Sequence, residues 1–225
     1  LADFALKFKL SEKRIAECLS ISATLSSKVS IEFGGVYENS EVWINGHFLG
    51  KRPFGYISFN YDLTPYLNFD GENVLAVRVD NSKQPNARWY TGSGIYRHVW
   101  LVTTDKLHIA RHGIYATTKA TEADNAVVEI VATIENDDAD AKEFILLNQL
   151  YSQKNELVAE FETPVNIPGN GKQEIVQNIT VDNPDLWSPD SPNLYRLASI
   201  VKFERHVVDE MSTNIGIREF NFSAN

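Results

Sequence analysis

The chain has 225 residues, of which 43% are hydrophobic, 11% aromatic and 23% charged, and a net charge of −9. Such a composition excludes disorder over most of the length and leaves room for one large or two ordinary domains. Nucleic acid is excluded as a partner, because neutralising phosphates takes a basic stripe and the chain has no run of Lys or Arg.

The one cysteine, Cys18, cannot form an internal disulfide, and no His/Asp pattern marks it as a nucleophile. No apolar run approaches the roughly 18–20 residues that a membrane span needs. The opening Leu1-Ala2-Asp3-Phe4 does not read as a signal peptide. Export stays open, with a periplasmic or other extracytoplasmic location slightly favoured over a cytoplasmic one.

In chain order, Ala5 to Leu10 alternate weakly, and Ser20 to Lys28 read as a loop or a poor strand. Val29 to Phe33 alternate cleanly with apolar residues at odd positions, which predicts a half-buried strand. Glu41 to Gly50 read as a hairpin around Asn45-Gly46, a pair suited to the positive φ angles of a type I′ turn. That hairpin puts Val42, Ile44 and Leu49 on one face and pairs Trp43 with Phe48 on the other. Tyr56 to Leu63 alternate again, with Ile57, Phe59, Tyr61 and Leu63 on one side. Thr64-Pro65-Tyr66-Leu67 predicts one helical turn, capped by Thr64 and closed by Gly71. Strands follow at Asn73–Val79, with Leu75, Val77 and Val79 inward, and at Ile95–Thr103.

A domain boundary is expected near residues 104–112, giving domains at 1–106 and 107–220. Beyond it, strands are predicted at Gly113–Lys119, Ala126–Glu135, Glu143–Tyr151, Leu157–Val165, Gln173–Val181, Leu194–Lys202 and His206–Ile217. Strands so short and so many in just over 100 residues are the immunoglobulin-like pattern, here without a Cys-Trp-Cys framework. No helix longer than one turn is predicted, so the fold class is all-β: a jelly roll or sandwich followed by an immunoglobulin-like β-sandwich.

Candidate chemistry is sparse. Asn155-Glu156 sits in the polar turn Ser152–Glu156 and reads as a hairpin tip. His108 and His112 are four apart, which on a strand is roughly 13 Å and too far for one metal. Asp137, Asp138 and Asp140 lack the Gly and distal Glu of an EF-hand and read as a turn. No metal and no cofactor is expected. The most unusual stretch is Arg88-Trp89-Tyr90-Thr91-Gly92-Ser93-Gly94-Ile95-Tyr96-Arg97. Its aromatics can stack on sugar C–H faces and its Arg can fork to hydroxyls. A structural loop whose rings pack on a neighbouring domain fits equally.

Ser93-Gly94-Ile95-Tyr96-Arg97-His98-Val99-Trp100-Leu101 resembles the S-G-I-[YF]-R-[DNH]-V-W-L signature of family 2 glycoside hydrolases. Other marks of that family stand in the expected order: Gly35-Val36-Tyr37, Val42-Trp43-Ile44-Asn45-Gly46, Phe59–Thr64 and Gly71–Asn81. Leu186–Tyr195 is similar to W-S-P-x-x-P-x-L-Y, and Gly216-Ile217-Arg218 to the strand that leads into the family's barrel. Phe4 to Leu10 depart from the family's G-W-Y-R-K-like opening.

The resemblance implies a sugar-binding-type jelly roll, then an immunoglobulin-like domain, then residues 221–225 as the start of a linker to a catalytic (β/α)-barrel beyond residue 225. Both catalytic carboxylates belong to that barrel, so the fragment is expected to be inactive and to contain no catalytic residue. The whole enzyme is expected to be a retaining hydrolase. It resembles the β-galactosidase branch most, with β-glucuronidase and β-mannosidase as alternatives, and a stand-alone carbohydrate-binding or adhesive protein as the reading outside enzymes. The implied partners are a carbohydrate substrate, the barrel of the same chain and a homo-oligomer. Carried over from the family's loop before S-G-I-[YF]-R, Arg88, Trp89 and Tyr90 are the substrate-binding candidates. A bacterial source is expected, which leaves Asn178-Ile179-Thr180 and Asn221-Phe222-Ser223 as incidental sequons.

Overall fold

The computed structural model describes residues 2–9, 27–69, 71–83, 91–121 and 124–220. The chain divides into two compact units, Leu1–Thr104 and Asp105–Asn225. Cys18, the 20–26 segment, Arg88, Trp89 and Tyr90 lie outside the described residues, as does Asn221.

Among the described residues, every strand pairing of the first unit is antiparallel. One sheet holds β1 (Ala2–Lys9), β7 (Glu72–Val79), β4 (Ser40–Ile44) and β5 (His47–Arg52), in that order. A second holds β6 (Phe59–Asp62), β2 (Lys28–Phe33) and β9 (Val99–Thr104), and a short pair joins β3 (Val36–Tyr37) to β8 (Gly94–Ile95). The alternating residues Ile31, Phe33, Val42, Ile44, Phe59, Leu63, Leu75, Val77 and Val79 meet between the sheets in one buried cluster. Burying each large side chain contributes about 1.5–3 kcal/mol, which is what the period of two secures here.

The hairpin forms as expected, with Asn45 at φ 49° and Gly46 at φ 85°. Its register slips once between Val42 and Trp43, and the Trp43 and Phe48 rings sit 5.4 Å apart. Three expectations are corrected. Ile57 is 51% exposed rather than inward, because the pleat starts only at Phe59. Thr64 does not cap the 3-10 turn Thr64–Tyr66. Its Oγ1 accepts the Val29 N–H (2.9 Å) instead, and Asp62 Oδ1 accepts the Thr64 N–H (2.8 Å). The single strand expected at 95–103 is two, β8 and β9, separated by the crossing at Tyr96–His98.

Among its described residues the second unit has seven strands: β10 (Leu107–Thr121), β11 (Asn125–Asn136), β12 (Lys142–Tyr151), β13 (Leu157–Ile167), β14 (Gly171–Asp182), β15 (Tyr195–Phe203) and β16 (His206–Ile215). They form two antiparallel sheets, β10-β11-β14 and β13-β12-β15-β16, so the fold is the expected all-β, immunoglobulin-like sandwich. The segment 107–112 is part of strand β10 rather than a linker; its register breaks between Ile109 and Ile114, where His112 stands at φ 54°.

The core of this sandwich is in two parts, one around Phe144, Leu146 and Val201 and one around Ile130, Leu150 and Leu197. A buried polar bridge also spans the two sheets. Asn148 Nδ2 donates to Gln177 Oε1 (2.6 Å), Ser199 Oγ donates to Asn148 Oδ1 (2.5 Å), and Gln177 Nε2 donates to Thr163 Oγ1 (2.8 Å) and the Leu146 carbonyl (3.2 Å). Unpaired, such groups would be costly to bury, so the bridge fixes which residues face each other. Trp187 is half-buried. Its ring lies on Gly216 and under the Arg218 guanidinium (4.8 Å), while its backbone N–H donates to the Ile217 carbonyl (2.8 Å).

Candidate functional site

The stretch that the sequence singles out, 88–97, begins outside the described residues and ends in the first unit's rim. Four segments make that rim: 34–39, 53–57, 80–83 and 91–98. The β3–β8 pair ties the first to the last, with Val36 opposite Ile95 and Tyr37 opposite Gly94. Gly94 sits at φ 117°, a conformation that residues with a Cβ rarely take. The Gly34 N–H reaches the His98 carbonyl at 2.9 Å and the Tyr96 N–H reaches the Gly35 carbonyl at 3.3 Å.

Two glycines let rings lie directly on backbone. A Cβ on Gly35 would collide with the Tyr96 ring, and one on Gly55 with the Tyr37 ring. Tyr96 then donates its hydroxyl to the Gly55 carbonyl (2.9 Å), which pins the 53–57 turn to the signature stretch. The turn carries Phe54 and Tyr56, 57% and 54% exposed. Tyr56 packs 5.2 Å from Tyr37 and 5.7 Å from Phe54, ring centre to ring centre. The Arg97 guanidinium lies 5.8 Å from the Tyr96 ring. The result is a cluster of rings with outward faces and a cation at its side, the features that stack on and orient a sugar.

Next to it, the described chain breaks at 83 and resumes at 91. Both ends are anchored. The Asp80 N–H bonds the Glu38 carbonyl (3.1 Å), and Asn39 Nδ2 donates to the Asp80 carbonyl (3.0 Å). The Asp80 carboxylate accepts the Ser82 N–H (3.0 Å), and Ser82 holds that carboxyl below its ordinary value through side-chain and backbone hydrogen bonds. Asn81 Nδ2 reaches Thr91 Oγ1 at 3.4 Å, while its buried Oδ1 has no hydrogen-bond partner among the described residues. Arg88, Trp89 and Tyr90 fall between these anchors, outside the described residues.

The remaining candidates resolve as follows. Asn155-Glu156 is a hairpin tip, with Asn155 at φ 62° and the Ser152 N–H on the Glu156 carbonyl (2.9 Å). Asp138 is taken up by two lysines, Lys106 and Lys142, each at 3.2 Å. His112 is exposed and does not join His108. The sequence reading missed Tyr37, Phe54 and Tyr56; Gly55 beside aromatics was the available signal, since a glycine there permits close ring-on-backbone contact.

Both units match known family models. Residues 14–105 match the model for the sugar binding domain of glycosyl hydrolases family 2, and residues 107–218 match the model described as glycosyl hydrolases family 2. The chain therefore belongs to glycosyl hydrolases family 2. It is 44% identical over 86% of its length to a β-galactosidase of Bacteroides ovatus, and 33% identical over 87% to a β-glucuronidase of Formosa agariphila. It spans only 23% and 22% of those relatives. A family 2 glycosyl hydrolase from Bacteroides cellulosilyticus superimposes with a TM-score of 0.90 at 34% identity, over 99% of this chain and 29% of that one. A β-glucuronidase of the family superimposes at 0.88 with 30% identity, over 97% and 24%.

Proposed function

We propose that the chain is the non-catalytic N-terminal part of a retaining family 2 hydrolase that releases terminal β-galactosides. The 44% identity to a β-galactosidase over nearly all of this chain, but under a quarter of that enzyme, carries the reading. The acid/base and nucleophile carboxylates stand about 5–5.5 Å apart in such enzymes, and we place them in a barrel beyond residue 225. The described rim and the 84–90 segment supply stacking faces and hydrogen-bond donors: Arg88, Trp89 and Tyr90 contact the sugar, supported by the Tyr96-pinned ring cluster. The jelly roll also braces the barrel and contributes to a homo-oligomer.

The second reading is β-glucuronidase, favoured by the relative and the solved structure that bear that name. The test uses the protein extended through its downstream sequence, assayed on p-nitrophenyl β-galactoside and β-glucuronide. Galactoside turnover, with Arg88→Ala lowering kcat/KM at unchanged Tm, supports the proposal. Turnover of the glucuronide alone selects the second reading, and hydrolysis by the 225-residue chain itself overturns the assignment of the carboxylates.

A further inference from the structure

In the second unit, strand β10 runs antiparallel to β11 in a register that sets His108 directly opposite Glu135. The Asp137 N–H then bonds the Lys106 carbonyl (2.9 Å), which holds the next turn of chain over the same imidazole. The His108 side chain is only 7% exposed. Its Nδ1 lies 3.2 Å from the Lys106 carbonyl and 3.9 Å from Asp137 Oδ2, and its Nε2 lies 3.4 Å from Glu135 Oε2. Asp209, partly buried, accepts the Ile109 N–H at Oδ2 (2.7 Å) and lies close enough to His108 for the two charges to interact. One donor atom each from His108, Glu135 and Asp137 lies within 4.8 Å of the others.

Acceptors thus surround a ring that, when neutral, has a single N–H. Directed at the Lys106 carbonyl, that N–H leaves the Nε2 lone pair of the buried ring facing a carboxylate oxygen of the partly exposed Glu135. Two lone pairs at that separation repel unless a proton or a metal cation stands between them. A backbone carbonyl that fixes the ring, an imidazole nitrogen and two carboxylate oxygens are also the parts of a three-ligand zinc site with one position left for water. We propose that His108, Glu135 and Asp137 bind one divalent transition-metal ion of the zinc type. The nitrogen donor selects zinc or cobalt over the harder calcium and magnesium. Asp137, at the more exposed end, closes the last part of the span by side-chain rotation. Glu135 keeps Oε1 on Lys172 Nζ (2.9 Å) and offers Oε2. Both carboxylates have further partners, so the ion competes with these, and Lys172 opposes it by charge.

The sequence reading set His108 against His112 and found the spacing too long. The strand register supplies a different partner from 27 positions away. The site is independent of the proposed hydrolase activity.

The test is zinc titration of the EDTA-treated 225-residue chain by calorimetry, with cobalt absorption as a readout of nitrogen and oxygen ligation. One equivalent should bind and raise the Tm by several degrees, with calcium and magnesium inert. Glu135→Gln and Asp137→Asn should each weaken binding at least tenfold, and Lys172→Ala should strengthen it. Both carboxylates are partly exposed, so these variants remain informative if His108→Gln does not fold. No zinc uptake, calcium in preference to zinc, or zinc binding that survives both carboxylate variants overturns the proposal.

Discussion

Tyr96 and Gly55, 41 positions apart, are joined by the Tyr96 hydroxyl on the Gly55 carbonyl at 2.9 Å. The bond ties the family's signature stretch to a turn that shows no motif of its own. It also determines where Phe54 and Tyr56 stand, because Gly55 is the residue between them.

Tyr96→Phe keeps the ring on Gly35 and removes only this bond. The loss should be about 0.5–1.5 kcal/mol by urea denaturation. Gly55→Ala adds a Cβ where the Tyr37 ring lies and should cost more, about 1–3 kcal/mol. Equal stabilities for the two variants would mean that the turn relaxes freely.

The polar bridge Asn148–Gln177–Ser199 should behave as one unit. Asn148→Ala strands the Gln177 and Ser199 groups and is expected to lower stability by about 1–3 kcal/mol. Asn148→Leu combined with Gln177→Leu should fall well short of the sum of the singles, since neither then leaves the other unpaired. Simple additivity would show the groups to be independent.

Trp187→Ala should destabilise the second unit by about 1–3 kcal/mol, below the roughly 3–5 kcal/mol of a fully buried tryptophan. The side chain is half-buried, and its lost contacts are those with Gly216 and Arg218. A loss above that range, read from the thermal transition of the second unit, would place Trp187 in the core after all.

Asp80 provides a pH test. Hydrogen bonds from Ser82 lower its carboxyl in the folded state, so the anion is favoured by folding. A lowered folded value contributes stability above the unfolded value of 3.8, and that stability is lost as pH falls through the folded value. Asp80→Asn should therefore lower the Tm at neutral pH, with the difference closing in acid below the ordinary carboxylate range. A gap that stays constant down to that range would assign the effect to packing alone.

The division between what was and was not legible follows the range of each interaction. Val29 to Phe33, Asn45-Gly46 and Ala126 to Glu135 declare strand, turn and inward face through residues next to one another, since a strand's period of two and a turn's φ requirement are local. Seven strands of the second unit were readable for that reason. Ile57 and Thr64 were misplaced because alternation does not reveal where pleating begins, nor whether a hydroxyl bonds its own turn or Val29, 35 positions away. The ring cluster at Tyr37, Phe54 and Tyr56 and the meeting of His108 with Glu135 and Asp137 are products of register and of glycine-permitted close approach. The sequence by itself determined an all-β chain of family 2 type, its strands and its turns. Only the tertiary structure decided which side chains face one another, because those contacts join residues far apart along the chain and form only once the sheets have paired.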